Sequence, residues 1–138
     1  MKVVNGIELE KAKVELLKGN LVRIIVKENT HLEESDILKI NDTKNSFVNE
    51  KPYTVIFTAP KVGSISRKAR ELSASETVTK NAICKAIIAP GKVSKIIGNF
   101  FISYMKPGVP IKVFSDEATA LVWMEEVKQK AGKTAITN

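Results

Sequence analysis

Apolar and charged side chains alternate along the first third of the chain in a way that predicts a β-hairpin. The alternation over 12–16 is typical of a strand with one buried face. A turn at 18–20 leads to a return strand at 21–27. An earlier alternation, at 7–10, lies in the opposite phase, so the first strand is expected to bulge or begin anew near Lys11.

Beyond the hairpin, short apolar runs alternate with amphipathic stretches. The runs are β-branched or aromatic, and they predict buried strands at 53–58, 82–89 and 110–114. The amphipathic stretches have helical spacing and predict helices at 30–47, 66–75, 93–105 and from 116 onward. Thr30 and Glu33 have the spacing of a capping box for the first of these helices, and Ser115 is expected to cap the last.

The predicted element order, ββαβαβαβα, indicates an α/β fold. Strands that alternate with helices of ten to fifteen residues favour a mixed, mostly parallel sheet, with the opening hairpin as its antiparallel edge. The chain of 138 residues fits one domain, expected over 1–131. A flexible tail is expected over 132–138, because this segment is small and polar and begins at a helix-stopping glycine.

The formal net charge of +7 is unevenly distributed. Between Lys61 and Lys112 there are ten lysines and arginines but two acids, so an anionic partner would be drawn to the middle of the chain. A solvated, lysine-rich surface is the simpler interpretation. Lysines outnumber arginines and no aromatic residues are interleaved with them, which argues against nucleic acid as the partner.

Residues that carry common catalytic or metal chemistry are sparse. Cys84 is the single cysteine and lies in an apolar strand, which favours a structural role. His31 is the single histidine; it is expected in the first turn of a helix as a solvated or capping residue, since no nucleophile-elbow motif accompanies it. Phosphate-binding glycine motifs are missing, no histidine or cysteine cluster is present, and no residue set supplies a nucleophile, a base and an orienting group together. No catalytic group, metal or cofactor is therefore expected. No signal peptide or membrane-spanning run is present, and the cytoplasm is the expected compartment.

Three segments carry a resemblance to a known family. They are Val62-Gly63-Ser64-Ile65-Ser66-Arg67-Lys68-Ala69-Arg70, Ile97-Gly98-Asn99-Phe100-Phe101, and Val113-Phe114-Ser115-Asp116-Glu117 with Ala120-Leu121 and Trp123-Met124. With the element order, they make the chain similar to STAS domains, named for sulfate transporters and anti-sigma-factor antagonists. It most resembles a small, stand-alone bacterial branch of STAS-like proteins, and the likeness spans roughly 10–128.

The resemblance implies a non-enzymatic regulatory module with a protein partner. In anti-sigma-factor antagonists, a serine at the start of the second helix is phosphorylated by a partner kinase, and the position corresponds here to Ser64 or Ser66. Two features depart from that pattern. The segment 58–61 has no acid where an aspartate is usual at Thr58, and the Asp-Ser-Ser-Gly type of signature is missing. Both departures weigh against a phosphorylation switch and leave the fold inference unchanged.

A basic cluster at the start of the second predicted helix is the main candidate site. Ser66 stands next to Arg67, Lys68 and Arg70, and cations in the first turns of a helix oppose its dipole unless an anion lies nearby. The alternative is that Ser66 only caps the helix and the basic side chains extend into water. Lys92 and Ser94, at the start of the third predicted helix, are weaker candidates for binding an anion.

Two functions remain open at this point. The first is a regulatory protein-interaction module that acts through 64–70, at the carboxyl end of a central strand, where ligand sites collect in open α/β sheets. The alternative is a small-anion or nucleotide-binding domain that uses the same basic loop. A homodimer through the edge hairpin or an exposed aromatic residue is compatible with either function.

Overall fold

The computed structural model describes residues 2–89 and 109–137 of the chain. Its strands are β1 Val3–Glu8, β2 Ala12–Leu17, β3 Leu21–Val26, β4 Thr30–Leu32, β5 Tyr53–Thr58, β6 Gly63–Ile65, β7 Ala82–Ile88 and β8 Ile111–Phe114. The helices in the described ranges are α1 Glu34–Val48, α2 Arg67–Ser73, α3 Glu76–Thr79 and α4 Glu117–Thr137.

Six strands form one mixed sheet in the order β1-β2-β3-β5-β7-β8. The β1–β2 and β2–β3 pairs are antiparallel, whereas β3–β5, β5–β7 and β7–β8 are parallel. The predicted α/β architecture with a mostly parallel sheet is therefore confirmed. The predicted hairpin is β2–β3, but it is not the edge of the sheet, because Val3–Glu8 forms the separate strand β1, which pairs outside β2.

Helices cover both faces of this sheet. One face of β2, β3 and β5 packs against α1 in a core that includes Val14, Val22, Ile40 and Phe47. The opposite face, around Ile56, packs against α4 in a second core. The buried residues of this core are Leu17, Leu21, Ile56, Cys84, Ala86, Ile88, Phe114, Ala120 and Met124. The sheet thus has the two apolar faces that its continuous β-branched strands require.

A second, two-stranded sheet lies beyond the main one. In it, β4 pairs with β6 in parallel. Because β4 follows β3 and β6 follows β5, the small sheet continues from the carboxyl ends of two adjacent parallel strands. Leu32 of β4 is buried against Ile37 and Ala69, and this third core ties the small sheet to α1 and α2. Sequence periodicity gave no sign of strands of three residues.

Two predicted helix starts are wrong by a few residues. The first helix begins at Glu34, not near Thr30, which lies in β4; the capping box is formed by Glu33 and Asp36, whose carboxylate accepts the N–H of Glu33 at 2.8 Å. The box therefore has the predicted spacing but lies three residues further on. In α4 the capping contact comes from Asp116, not Ser115, since its carboxylate accepts the N–H of Thr119 at 2.8 Å.

Two further predictions concern the ends of the described ranges. The third predicted helix, 93–105, lies outside the described residues, as do Lys92 and Ser94. The backbone of α4 continues past Gly132 to Thr137. A single domain over 1–131 with a flexible tail over 132–138 stays a prediction.

Candidate functional site

The main candidate surface consists of β6 and the first turn of α2, residues 63–70, and is called here the β6–α2 surface. It follows the carboxyl end of the central strand β5, where the sequence placed it. Ser64, Arg67 and Lys68 are exposed on it, whereas Ala69 is fully buried and anchors it to the core. The short helix thus presents Arg67 and Lys68 to solvent while Ala69 packs inward.

Ser66 is the N-cap of α2, as the simpler of the two sequence interpretations predicted. Its hydroxyl oxygen accepts the backbone N–H of Ala69 at 3.1 Å. The side chain is half-buried, in contrast to exposed Ser64 two residues earlier. The two candidate serines therefore have different environments, since Ser64 lies in β6 and Ser66 terminates the loop before the helix.

The basic residues of the β6–α2 surface differ in their exposure. Arg67 pairs with Glu71 one turn along α2, with 3.1 Å between Nε and Oε1, and both side chains are well exposed. Such an exposed pair contributes little to stability, about 0.3–0.5 kcal/mol. Arg70 is half-buried and lies on the helix beyond Ala69. Arg67 is thus solvated and already paired with an acid of its own helix.

The loop before β6 carries a carboxylate contact that the sequence did not suggest. Glu28 accepts the backbone N–H groups of Lys61 and Val62, at 2.9–3.0 Å and 3.1 Å. Charge-assisted bonds of this kind are about twice as strong as neutral ones. The contact fixes the loop after β5 against the turn after β3. It also occupies two backbone N–H donors that could otherwise bind an external anion.

Gly63 is required where this loop enters β6. A Cβ atom at this position would lie 2.6 Å from Cγ of Pro60 and 3.1 Å from the backbone oxygen of Thr30. Those distances are too short for an alanine unless the loop moves. The glycine therefore allows β6 to approach β4 closely.

His31 is in β4 and not in a helix, so its predicted placement is wrong. It is the register partner of Ser64 in the small parallel sheet. Its Nδ1 lies 2.7 Å from Oγ of Ser64, and its Nε2 lies 2.7 Å from Oε1 of Glu33. Sequence reasoning missed this cluster because β4 and β6 are too short to leave a pattern. One signal was available in the sequence. His31 and Glu33 are two residues apart, and residues at this spacing lie on the same side of an extended chain.

A buried lysine was also missed. Lys44 is 3% exposed, and its ammonium group donates to the hydroxyl of Tyr53 at 2.8 Å and to the backbone oxygen of Val78. Burial, together with the charge of Lys85, lowers the pKa of Lys44 to about 8. Lys85 lies with its Nζ 5.2 Å from the ring centre of Phe57, and burial lowers its pKa to about 8 as well.

Cys84 is fully buried in β7, which agrees with a structural role. Burial raises the pKa of its thiol to about 11, so the reactive thiolate is disfavoured. Within 2–89 and 109–137, no group of three or more metal-binding side chains comes together. No helix in these ranges is long and apolar enough to cross a membrane.

Comparison with known proteins supports the fold. A solved structure from Shewanella loihica PV-4, an uncharacterised protein of the DUF3478 family with a SpoIIAA-like fold, is similar to this chain with a TM-score of 0.56 and 16% sequence identity. The match covers 81% of this chain and 90% of that one. At this identity it shows the fold alone, and the STAS-like fold predicted from the sequence is confirmed. A comparison with curated proteins gave no match.

The family follows from the sequence match rather than from the fold. A family model described as a domain of unknown function, DUF7793, matches residues 15–128. That range extends from β2 into α4 and includes the whole β6–α2 surface. The chain is therefore a member of the DUF7793 family, with a SpoIIAA-like fold.

Proposed function

We propose that this protein is a non-enzymatic regulatory module that binds a protein partner through the β6–α2 surface. The observation that carries the proposal is the exposure of Arg67 and Lys68 in a segment that contains no acid of its own. Residues 61–70 contain four lysines and arginines and no aspartate or glutamate, and Ser64, Arg67 and Lys68 are exposed. An acidic surface on a partner would be complementary to it, and complementarity of this kind raises the rate and specificity of association.

Phosphorylation is the proposed control of this contact, and Ser64 is the better acceptor of the two serines. Ser64 is exposed, and among the described residues its hydroxyl contacts only the exposed side chain of His31, whereas Ser66 is half-buried and its hydroxyl caps the helix. A phosphoserine carries a charge of about −1.5 to −2 at neutral pH. On a surface whose charge comes from three cations, Arg67, Lys68 and Arg70, this addition would weaken binding to an acidic partner.

Binding of a small anion or nucleotide is the alternative, and one contact bears on it. The amides of Lys61 and Val62 already hold the carboxylate of Glu28, so this loop has the geometry to bind an oxyanion. An external anion would have to displace Glu28, which supports the protein-partner proposal over this one.

Affinity capture from the native cells tests the proposal. Lys68→Glu reverses one exposed charge on the β6–α2 surface, and Lys51→Glu is the matched control, because Lys51 is exposed at the opposite end of β5. A partner retained by wild type and Lys51→Glu but lost with Lys68→Glu supports the proposal. Equal retention by all three chains contradicts it. A rise in the thermal midpoint with inorganic phosphate, lost in Lys68→Glu, would favour the anion-binding alternative.

A further inference from the structure

A serine, a histidine and a glutamate form a continuous hydrogen-bonded cluster on the small sheet. The parallel register pairs His31 with Ser64 directly, and Glu33 follows two residues after His31. Each of the two contacts of the imidazole, to the Ser64 hydroxyl and to the Glu33 carboxylate, is 2.7 Å long. A base positioned by a third group and bonded to a hydroxyl is the arrangement that activates serine nucleophiles.

The chemistry of the partners fixes which nitrogen carries the proton. An ionised carboxylate can only accept, so Nε2 of a neutral His31 must hold the N–H that donates to Glu33. Nδ1 is then left as an acceptor, and the Ser64 hydroxyl donates to it. Glu33 thus keeps the imidazole in the one tautomer in which it can take a proton from Ser64.

We propose that Ser64 is an activated nucleophile that accepts acyl groups from activated esters. His31 acts as its general base, and Glu33 is a positioning residue that acts through His31. The proposal goes beyond regulation by phosphorylation and does not depend on a partner protein, since all three side chains belong to this chain.

The cluster and the ester supply every atom and proton that the covalent step requires. Oγ of Ser64 attacks the carbonyl carbon of the ester, and its proton moves to Nδ1 of His31. The new Oγ–C bond forms as the bond from the carbonyl carbon to the alcohol of the ester breaks. The departing alkoxide or phenolate takes the proton back from Nδ1, and an O-acyl serine remains.

Access to the cluster is open. Ser64 is exposed, and the side chains of His31 and Glu33 are 51% and 54% exposed. Ser66, two residues away, provides a natural contrast, because its hydroxyl accepts from the Ala69 amide and has no imidazole contact among the described residues. An activated Ser64 should therefore react while Ser66 does not.

Acetylation by p-nitrophenyl acetate, followed by acid quenching and peptide mass spectrometry, tests the proposal on the full chain. Trypsin releases Val62–Arg67, which contains both serines, and fragment ions between them separate the two sites. Acetyl should accumulate on Ser64 well above Ser66. A general base contributes about a hundredfold or more in rate, so His31→Gln should lower Ser64 acetylation by about that factor. Equal labelling of the two serines, or a rate unchanged in His31→Gln, would overturn the proposal.

A second measurement isolates the role of Glu33. Since His31 is the single histidine, its ring nitrogens give one pair of ¹⁵N signals, which report the tautomer directly. Wild type should show the Nε2–H tautomer when the imidazole is neutral, and Glu33→Gln should give a mixture together with slower acetylation of Ser64. The matched control is Glu34→Gln, an adjacent exposed carboxylate, which should change neither signal nor rate. An unaltered tautomer in Glu33→Gln would remove Glu33 from the proposal.

Discussion

The hydroxyl oxygen of Ser66 accepts the backbone N–H of Ala69 at 3.1 Å, and this contact begins α2. Ala69 itself is completely buried, so the cap fixes the helix at the point where it meets the core. The two serines of the β6–α2 surface therefore have different roles. Ser66 holds the helix, and Ser64 is left exposed for chemistry or modification.

Removal of the cap should destabilise the protein measurably. Ser66→Ala is expected to lower the free energy of unfolding by about 1 kcal/mol, because the Ala69 amide loses its partner. Ser66→Asp should keep most of the stability, since aspartate is an equally good N-cap. Ser64→Ala is the matched control and should change stability by less than about 0.5 kcal/mol. Urea unfolding checks all three variants, and an equal loss in both alanine variants would contradict the assignment.

A methyl group at Gly63 should not be tolerated. Gly63→Ala places Cβ against Pro60 and the backbone of Thr30, and overpacking of this kind costs about 1–3 kcal/mol. Gly132→Ala is the opposite case, because no atom lies within 4 Å of its Cβ position and the residue is in a helix. That variant should gain about 0.5–1 kcal/mol. Thermal unfolding of the pair tests the contrast, and stabilisation by both substitutions would show that β4 and β6 are not closely packed.

Arg23 connects three elements through two carboxylates. Its Nε lies 2.9 Å from Glu15 of β2 and its Nη1 lies 2.8 Å from Glu117 of α4. Glu15 is 5% exposed, so Arg23→Met would leave a buried carboxylate without its main partner. We expect a loss of about 3 kcal/mol. The double variant Arg23→Met, Glu15→Met should recover most of it, and additive losses in a double-mutant cycle would argue against this coupling.

Lys44 should make stability depend on pH in a defined window. Its folded pKa of about 8 lies below the value of 10.5 that is usual for an unburied lysine, so the folded state binds fewer protons and stability rises with pH between those values. Lys44→Met removes this contribution. At pH 7 the variant should be more stable than wild type by about 1–2 kcal/mol, as for other buried charges replaced by apolar side chains.

The difference between the two proteins isolates Lys44 from other groups that titrate in the same range. Tyr53, whose pKa burial raises to about 12, Cys84, and Lys85, whose pKa burial lowers to about 8, are present in both proteins. The stability gap should close as pH rises from 8 towards 10.5. A gap that is constant with pH would show that Lys44 is not desolvated in the folded state.

Sequence patterns were sufficient for the elements that pack against the main core. The run at 53–58 corresponds to β5 at both ends, because a strand covered on both faces must be apolar throughout. Ser66 was correctly identified as a cap, since capping depends on local residues. Lys44 was missed although the apolar stripe itself points to it, four residues after Ile40 and three before Phe47.

The contacts that build the β4–β6 region could not be read from the sequence. They join residues more than thirty positions apart, as in the pairs of His31 with Ser64 and of Glu28 with Lys61. Which residues meet depends on the register of two very short strands, and that register is set by the core around Leu32 rather than by any local pattern.

Phosphopeptide mass spectrometry on the protein isolated from its native cells tests the regulatory proposal most directly. The tryptic peptide Val62–Arg67 contains both candidate serines, and its fragment ions assign a phosphate to one of them. We expect phosphate on Ser64, with an occupancy that changes between growth conditions. A peptide that is unmodified under every condition, or modified on Ser66 alone, would contradict control through Ser64.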